Sequence, residues 1–489
     1  MSDFTTEQHS KHSYYLDPDS TPYRQGIFDV IRIFLPAFAW SDVADDADMI
    51  SVLRGELSWT LQIGKKTIVL QTEGMDENQC RKKLKQAVYQ YFLNLYGGNH
   101  PWGIMTGIRP TKIVHRYRDT DMPDAEIKQT IMDEYFLRED KAALLMEVTE
   151  RQRPFLPTPQ EAKETVSIYL SIPFCPTRCH YCSFPSFCLP KPHLQEEYLS
   201  HLIAECHAVG EALSAKGIQV QTVYIGGGTP TSIHAMQLER LLQNVHSAFG
   251  SHFAEFTVEA GRPDTITEEK LQLLHDHHVG RISINPQTFS QHTLDTIGRR
   301  HSVQDIFDVY AMAREIGFDC INMDLIAGLT GETADDFRHS LAQISVLKPE
   351  NITVHTLAIK RTSKLDRADF NDAQGDTVSA MNAYLQQWLK TEKYVPYYLY
   401  RQKQMIGDME NTGFCLPGKE SLYNILMMEE RQTIFGLGVG SATKYVNPND
   451  WTLTQHNNPK DLYFYNQRID ELIENKMMQI NKRFHRNLD

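Results

Sequence analysis

The feature that most constrains this chain of 489 residues is a run of three cysteines within eight positions, Cys175-Pro-Thr-Arg-Cys179-His-Tyr-Cys182. Intervals of three and then two residues let one loop carry three thiolates to a single inorganic cluster. A structural zinc site is one alternative, but it needs four ligands, and the chain has no second cysteine pair spaced by two residues. Three apolar core cysteines are another alternative, although core cysteines are rarely so dense. The motif therefore predicts an iron-sulfur cluster with one open coordination position.

The composition predicts a soluble, cytoplasmic protein. No run of about 18 apolar residues is present and the first residues are polar, so we expect neither a membrane span nor a secretory signal. Eight cysteines in a chain of this length do not make a disulfide framework. The formal net charge of −13 disfavours binding to nucleic acid, and an anionic substrate would need local basic residues. Two groups qualify, unless they form a solvated surface: Lys360, Arg361 and Lys364, and Arg401 with Lys403.

The rhythm of the sequence divides the chain into four segments. Residues 1–150 combine strand-like alternation at 27–34 and 57–63 with a helical face at 80–95, which predicts an accessory α+β domain. The prolines of residues 151–165 predict an extended linker. In residues 166–365, strands alternate with helices, which predicts a parallel α/β sheet. Residues 366–489 are predicted to form a mainly helical domain over one end of the sheet. The six predicted strands span residues 167–172, 222–225, 256–260, 281–285, 321–326 and 352–357.

Candidate ligand-binding residues follow the predicted strands, where parallel α/β sheets bind their ligands. The run Gly226-Gly-Gly-Thr229 ends the second strand, and a backbone without Cβ atoms can approach a ligand and offer its amide groups. Glu259 and Asp324 are strand-end carboxylates that can accept hydrogen bonds, while Arg299 can pair with a carboxylate. Taken singly, such residues are more often turns, caps or surface ion pairs.

The cysteine motif, with Tyr181 before its last cysteine and the glycine run one strand later, resembles the radical S-adenosylmethionine (SAM) superfamily. Residues 166–360 resemble more closely the oxygen-independent coproporphyrinogen III oxidases (dehydrogenases). The stretch Trp102-Gly-Ile-Met-Thr-Gly-Ile-Arg-Pro-Thr-Lys112 is most similar to the HemZ branch of that family. The residues that match in order and spacing are Tyr169, Gly227, Gly228, Thr229, Glu259, Gln287, Arg299, Asp324 and Ala358.

The resemblance implies a partial (β/α)6 radical-SAM barrel and a set of cofactor contacts. A 4Fe-4S cluster would be bound by Cys175, Cys179 and Cys182. One SAM on the cluster side would contact Tyr169, Gly227 and Glu259, and Tyr181, Gly228 and Thr229 would be further cofactor contacts. A second SAM would contact Gln287, Arg299, Asp324 and Ala358. The implied catalytic residues are Glu259, Arg299 and Asp324.

The implied activity is the oxidative decarboxylation of coproporphyrinogen III, an anionic tetrapyrrole, to protoporphyrinogen IX in heme biosynthesis. A 5′-deoxyadenosyl radical would remove a hydrogen atom from a propionate side chain of the substrate. An electron donor such as a flavodoxin or a ferredoxin would reduce the cluster, and we expect a monomer.

Two departures from the family pattern leave other functions open. Phe184 stands where well-studied members have a fourth cysteine, and Asn285 stands where they have a glycine. The alternatives are a heme chaperone and a radical methyl or alkyl transferase. Such chaperones bind heme through a His-Asn-x-x-Tyr-Trp segment, whereas here His456-Asn457 is followed by Asn458-Pro459.

Overall fold

The computed structural model describes residues 13–36, 38–44, 47–107, 109–184, 186–358, 365, 372–401 and 409–484. The chain divides into two compact units, residues 1–146 and 147–489. Among the described residues, no helix is both long enough and apolar enough to cross a bilayer.

The first unit contains a four-stranded sheet and several helices. Its elements are β1 (Tyr14–Leu16), α1 (Arg24–Phe34), β2 (Asp48–Arg54), β3 (Ser58–Ile63), β4 (Lys66–Gln71), α2 (Glu77–Tyr96), α3 (Thr111–Arg118) and α4 (Asp124–Tyr135), and α5 (Glu139–Gln152) crosses its boundary. The strand order is β1-β2-β3-β4, in which only the β1–β2 pair is parallel. Trp59 and Leu61 of β3 belong to the same core as Leu84 and Phe92 of α2. The strand predicted at 57–63 and the helix predicted at 80–95 are confirmed.

The strand predicted at residues 27–34 is wrong, because this stretch lies in the helix α1. Its fully buried residues are Ile27, Val30 and Ile31, whose spacing of three and four places them on one helical face. The β-branched residues favoured a strand in isolation, but burial of this face against the core decided the outcome.

The second unit is built on a large sheet. Its first half contains α6 (Glu161–Glu164), β5 (Thr165–Ile172), β6 (Phe174–Cys175), β7 (Phe187–Cys188), α7 (Pro192–Ala215), β8 (Gln219–Gly227), α8 (Ala235–Phe249), β9 (Glu255–Gly261), α9 (Glu268–Asp276), β10 (Arg281–Ile284), α10 (Gln291–Thr296) and α11 (Val303–Ile316). Its second half contains β11 (Ile321–Ala327), α12 (Ala334–Leu347), β12 (Asn351–Thr356), α13 (Asp372–Glu392), β13 (Val395–Tyr400), β14 (Asn411–Cys415), α14 (Leu422–Glu429), β15 (Ile434–Leu437), β16 (Ala442–Val446), β17 (Leu453–Asn457), α15 (Leu462–Gln467) and α16 (Ile469–Arg483).

Eleven strands form this sheet in the order β13-β14-β12-β11-β10-β9-β8-β5-β15-β16-β17. The six strands predicted from the sequence correspond to β5 and β8 to β12, and each is confirmed within a few residues. They are parallel neighbours, and they lie side by side in chain order, because a helix returns the chain after each strand. Their carboxyl ends therefore meet at one edge of the sheet, where the candidate residues are expected.

The region after β12 departs from the prediction of a mainly helical segment, because it also supplies five strands. Two of them, β13 and β14, extend the sheet antiparallel beyond β12, and β15 pairs parallel with β5 at the other side. The stretch 151–165, predicted as an extended linker, instead contains the end of α5, a 3-10 turn and α6.

A buried ion pair ties α16 to α7. Nζ of Lys476 lies 2.8 Å from Oε1 of Glu205, and it also donates a hydrogen bond of 2.7 Å to the side-chain oxygen of Asn458. The other carboxylate oxygen of Glu205 accepts hydrogen bonds of 2.7 Å from the Tyr465 hydroxyl and from the Gly438 amide. This network fixes the glycine-rich turn after β15 beside the end of β5, since a Cβ on Gly438 would come within 2.9 Å of the Ser171 carbonyl oxygen.

Candidate active site

The three-cysteine loop begins directly after β5 and is held at several points. Its first cysteine pairs with the exposed Cys188 in the short β6–β7 ladder. Farther along, the guanidinium of Arg262 donates to the Thr177 carbonyl and hydroxyl oxygens at 3.0 and 2.9 Å, while Asp264 holds it with two hydrogen bonds. The His180 amide donates to the carbonyl oxygen of Ile297 at 3.0 Å. The loop is thus fixed to the turns after β9 and α10.

The donor atoms on this loop fit a 4Fe-4S cluster. The Thr229 hydroxyl donates to Sγ of Cys175 at 3.5 Å, and one Arg262 nitrogen lies 4.0 Å from Sγ of Cys179. Burial, together with the neighbouring thiols, raises the pKa of Cys175, so its thiolate needs a positive partner such as iron. Among the described residues, no three Cys, His, Asp or Glu side chains meet around a single metal ion. In a cubane cluster each cysteine binds a different iron, so three thiols need not converge on one atom.

The glycine run at the end of β8 packs closely against the cysteine loop. A Cβ on Gly228 would lie 2.6 Å from the carbonyl oxygen of Phe174, so a side chain there would clash with the loop. Gly227 has a φ of +107°, a backbone conformation that would be strained in any residue with a Cβ. The amides of Gly228 and Thr229 donate to the carbonyl oxygens of Ile172 and Phe174. These two amides therefore already have partners within the protein, while the contact of the glycine run with a cofactor stays a prediction. The motif lets the second strand support the loop of the first.

Glu259, near the end of β9, is a half-buried carboxyl group whose pKa is raised toward neutral pH. Burial raises its pKa to about 7, and the nearby carboxylate of Asp324 acts in the same direction. The hydroxyl of Tyr224 on β8 donates a hydrogen bond to Oε1 of Glu259 and opposes this rise. Tyr224 also lies next to Tyr169 of β5, with ring centroids 6.1 Å apart. Burial and the proximity of Glu259 raise the pKa of Tyr169, so it stays a neutral phenol.

Asp324, on β11, is held in its ionised form by hydrogen-bond donors. Burial disfavours the carboxylate, but His355, the Asn322 amide and Thr353 outweigh this and lower the pKa of Asp324. Nε2 of His355 lies 3.6 Å from Oδ2 of Asp324, and Nδ1 of the same ring lies 3.2 Å from the hydroxyl of Tyr400. A chain of three polar side chains therefore runs from β11 through β12 to β13.

Arg299 lies in the turn after α10 and reaches back to the cysteine loop. It donates to the Asn285 carbonyl oxygen at 2.8 Å and to the Tyr181 hydroxyl at 3.2 Å. Its Nε is buried and has no hydrogen-bond partner among the described residues. An unsatisfied buried guanidinium donor is costly, so this atom fits an anionic ligand such as the carboxylate of SAM. The Asn285 side chain, in turn, accepts from the amide of Asp324 at 3.3 Å.

Gln287 has a left-handed backbone, with a φ of +68°. This conformation costs about 1 kcal/mol or more for a residue with a Cβ, and it persists only where the surroundings fix it. Here β11 fixes it, because the Gln287 amide donates to the Asp324 carbonyl at 2.9 Å and its own carbonyl accepts from Ile326 at 3.0 Å. The backbone of Gln287 is thereby placed beside that of Asp324.

The structure brings together most of the predicted residues at one edge of the sheet. Tyr181, Arg299, Asp324 and Gln287 are linked by the contacts described above, and Glu259 is close enough to Asp324 to affect its charge. Ala358 is half-buried two residues after β12. Of the predicted substrate-binding residues, Arg401 is buried directly after β13. The others, Lys360, Arg361, Lys364 and Lys403, lie outside the described residues.

Sequence reasoning missed four polar residues of this site: Tyr224, Arg262, His355 and Tyr400. Three of them had a usable signal, since Tyr224, Arg262 and His355 lie within or just after a predicted strand that carries another candidate residue. Tyr400 had none, because it comes from a strand that was not predicted.

The comparisons with known proteins identify the family of the chain. Residues 169–344 match the model of the Radical SAM superfamily. A fold with a large, mostly parallel sheet and a three-cysteine loop after its first strand defines the chain as a member of that superfamily. The chain is 41% identical to the oxygen-independent coproporphyrinogen-III oxidase-like protein HemZ of Bacillus subtilis, over 84% of either chain. It belongs to this family of HemZ-like proteins.

Two further relatives show how far the likeness extends. The chain is 32% identical to the heme chaperone HemW of Bacillus subtilis, over 56% of this chain and 70% of that protein. It also matches the solved structure of coproporphyrinogen III oxidase (HemN) from Escherichia coli, a radical SAM enzyme, with a TM-score of 0.51 and 25% identity. That match covers 64% of this chain and 72% of the other.

Proposed function

We propose that this protein is a radical SAM oxidoreductase that decarboxylates coproporphyrinogen III to protoporphyrinogen IX. One observation carries the proposal: the three-cysteine loop follows β5, Glu259 and Asp324 lie in the carboxyl-terminal parts of β9 and β11 of the same parallel sheet, and Arg299 reaches the loop from the turn after α10. The likeness to HemZ over most of either chain supports it. The six parallel strands would then form the partial (β/α)6 barrel implied by the sequence.

The charged residues of the site would bind different groups of the cofactors. When bound at the three cysteines, a reduced cluster with SAM would supply the radical that removes a hydrogen atom from the substrate propionate. Glu259, in its ionised form, would accept hydrogen bonds from the cofactor amine, while Tyr224 holds the carboxylate in position. The free Nε of Arg299 and the ionised Asp324 would bind a second cofactor molecule through its carboxylate and its donor groups respectively.

Substrate binding requires fixed positive charge, since coproporphyrinogen carries several carboxylates and the chain has a net charge of −13. We propose Arg401, directly after β13, as one such group, together with Lys360 and Arg361. Bidentate pairing with arginine would also orient a propionate toward the radical.

Heme carriage is the second candidate, favoured by the likeness to HemW. Against it, the chain lacks the His-Asn-x-x-Tyr-Trp segment of such chaperones, because His456-Asn457 is followed by Asn458-Pro459. A radical methyl or alkyl transfer would use the same cofactors and differs only in product.

Product analysis separates the three functions. The reconstituted protein is incubated anaerobically with reductant, SAM, coproporphyrinogen III and an electron acceptor. The masses of the products are then measured by mass spectrometry. We expect tetrapyrroles that have lost one and then two molecules of carbon dioxide. Arg401→Ala is expected to slow their formation more than it slows cofactor cleavage. Cofactor cleavage without decarboxylation would favour alkyl transfer, and stoichiometric heme binding without turnover would favour the carrier.

A further inference from the structure

A cavity of about 480 Å³ lies between the cysteine loop and the turn that follows α10. The loop contributes Thr177, Arg178 and His180, and the turn contributes Asp295, Gly298, Arg299 and Arg300. Arg300 and Asp295 are exposed, so the cavity is accessible from solvent. The proposed reaction assigns a task only to Arg299 among these residues.

The wall of this cavity is rigidly connected to the cluster ligands. Arg178 and His180 immediately flank Cys179 in the chain. Nδ1 of His180 lies 2.9 Å from the carbonyl oxygen of Thr296, and a Cβ on Gly298 would come within 3.1 Å of the same ring. The loop that carries the three cysteines therefore forms one wall of this cavity.

The charge of the cavity is opposite to that of the whole protein. Three arginines line it against one aspartate, while the chain as a whole carries −13. A strongly acidic partner is repelled by most of the surface and attracted here, which is the arrangement that steers association to one place.

Exposed apolar side chains follow on the same segment. Phe184, two residues after the last cysteine, is 65% exposed, and Leu189 is 41% exposed. The Leu189 amide donates to the Cys175 carbonyl at 3.1 Å, so this side chain is also held beside the loop. Aromatic residues and arginine are enriched in protein interfaces, and electron-transfer encounters use small ones.

We propose that the arginine-lined cavity, with Phe184 and Leu189, is the docking surface for an acidic one-electron donor protein of the flavodoxin or ferredoxin class. One electron leaves the reduced flavin or iron-sulfur centre of the donor, which is thereby oxidised by one electron, and it enters the cluster on the three cysteines. No proton or group is transferred. This inference rests on the proposed function only in requiring a reducible cluster.

The test compares a protein donor with a small reductant. At low salt, we expect the double variant Arg178→Glu/Arg300→Glu of the reconstituted protein to bind flavodoxin at least about tenfold more weakly than the unsubstituted protein does. The dissociation constant of the variant should also change less with salt concentration. Cluster reduction by reduced flavodoxin should slow to a similar extent, whereas reduction by dithionite should keep its rate. Binding is measured by calorimetry and reduction by electron paramagnetic resonance.

Two controls keep the result interpretable. Arg338→Glu makes the same kind of charge change on α12, next to Asp335, and should leave flavodoxin binding unchanged. Arg300→Gln alone removes one exposed charge without reversing it, and it should weaken binding even if the double variant fails to bind a cluster. Unchanged binding in both cavity variants, or an equal loss in Arg338→Glu, would overturn the proposal.

The outcome is independent of the substrate. If flavodoxin reduces the cluster through this surface but no decarboxylated product forms, the docking inference stands and the proposed function fails. If dithionite supports decarboxylation while the cavity variants bind flavodoxin normally, the proposed function stands and the docking inference fails.

Discussion

Nε2 of His355 faces Oδ2 of Asp324 at 3.6 Å across the parallel strands β12 and β11. This imidazole is the foremost of the groups that lower the pKa of Asp324 against the effect of burial. Asp324 can therefore meet a cofactor as a carboxylate even though it has little contact with water. The relation gives a direct test of whether Asp324 acts in its ionised form.

His355→Phe removes this partner while keeping a ring of similar size. Without it the pKa of Asp324 rises, so the low-pH loss of cofactor cleavage should move to higher pH. We expect kcat/KM for cleavage to fall about tenfold near neutral pH, the effect of one charge-assisted contact. Tyr400→Phe keeps the imidazole and should shift the profile less. An unchanged pH profile in His355→Phe would show that the contact has no role in ionising Asp324.

Glu259 should make SAM binding sensitive to pH around neutrality. Its pKa is raised to about 7, so the carboxylate that accepts hydrogen bonds is present above this pH and is lost as the pH falls through it. Tyr224→Phe removes a donor that favours the carboxylate, so the loss should begin at a higher pH. The measurement is the dissociation constant of SAM for the reconstituted protein over a pH range that extends roughly two units to either side of that pKa.

Glu259→Gln is the matched variant for that experiment. It should bind SAM weakly at every pH, with an intact cluster spectrum. A cluster lost in Glu259→Gln while cleavage per cluster stays normal would identify Glu259 as a structural residue.

The cluster itself should depend on three cysteines and no other. Anaerobic reconstitution is expected to give about four irons per chain, and the Cys175→Ala/Cys179→Ala/Cys182→Ala variant almost none. Cys188→Ala is the control. Cys188 is the strand partner of Cys175 in the β6–β7 ladder, and the substitution leaves this backbone pairing in place. Stoichiometric zinc in place of iron would refute the assignment.

Gly228→Ala tests the support that β8 gives to the cysteine loop. The added methyl group would come 2.6 Å from the Phe174 carbonyl oxygen, so the loop must shift, at a cost of about 1–3 kcal/mol in the free energy of unfolding. We expect lower cluster occupancy as well as a lower melting temperature. Gly280→Ala is the control, since a Cβ there meets nothing within 4 Å. Full occupancy in Gly228→Ala would mean that the loop does not depend on this contact.

Lys476→Met should destabilise the second unit strongly. It leaves the carboxylate of Glu205, which is fully buried, without its cation, and such a change costs about 3–5 kcal/mol. The double variant Glu205→Gln/Lys476→Met should recover a large part of that stability, as measured by denaturant unfolding. A double variant no more stable than the single one would show that charge is not the main cause.

The sequence predicted the parts of this molecule that rest on local pattern. The six parallel strands are apolar runs between helices, and the cysteine spacing is a local signal, so both could be found without a structure. The contact of His355 with Tyr400 could not, because β13 pairs with β14 rather than with β12 and the two residues meet only through tertiary packing. The helix α1 was missed because its β-branched residues locally favour a strand, whereas the packing of its buried face stabilises a helix.

The pairing of β15 with β5 has a consequence for the time course of biosynthesis. β5 precedes the cysteine loop, and among the described strands Ile434–Leu437 covers the edge of β5 that faces away from β8. The ribosome produces this stretch after all the other parallel strands. At about 5–20 residues per second, that edge stays unpaired for tens of seconds in the nascent chain. An unpaired edge of this kind is a template for aggregation, and the cysteine loop lacks the support of β15 until the interval ends.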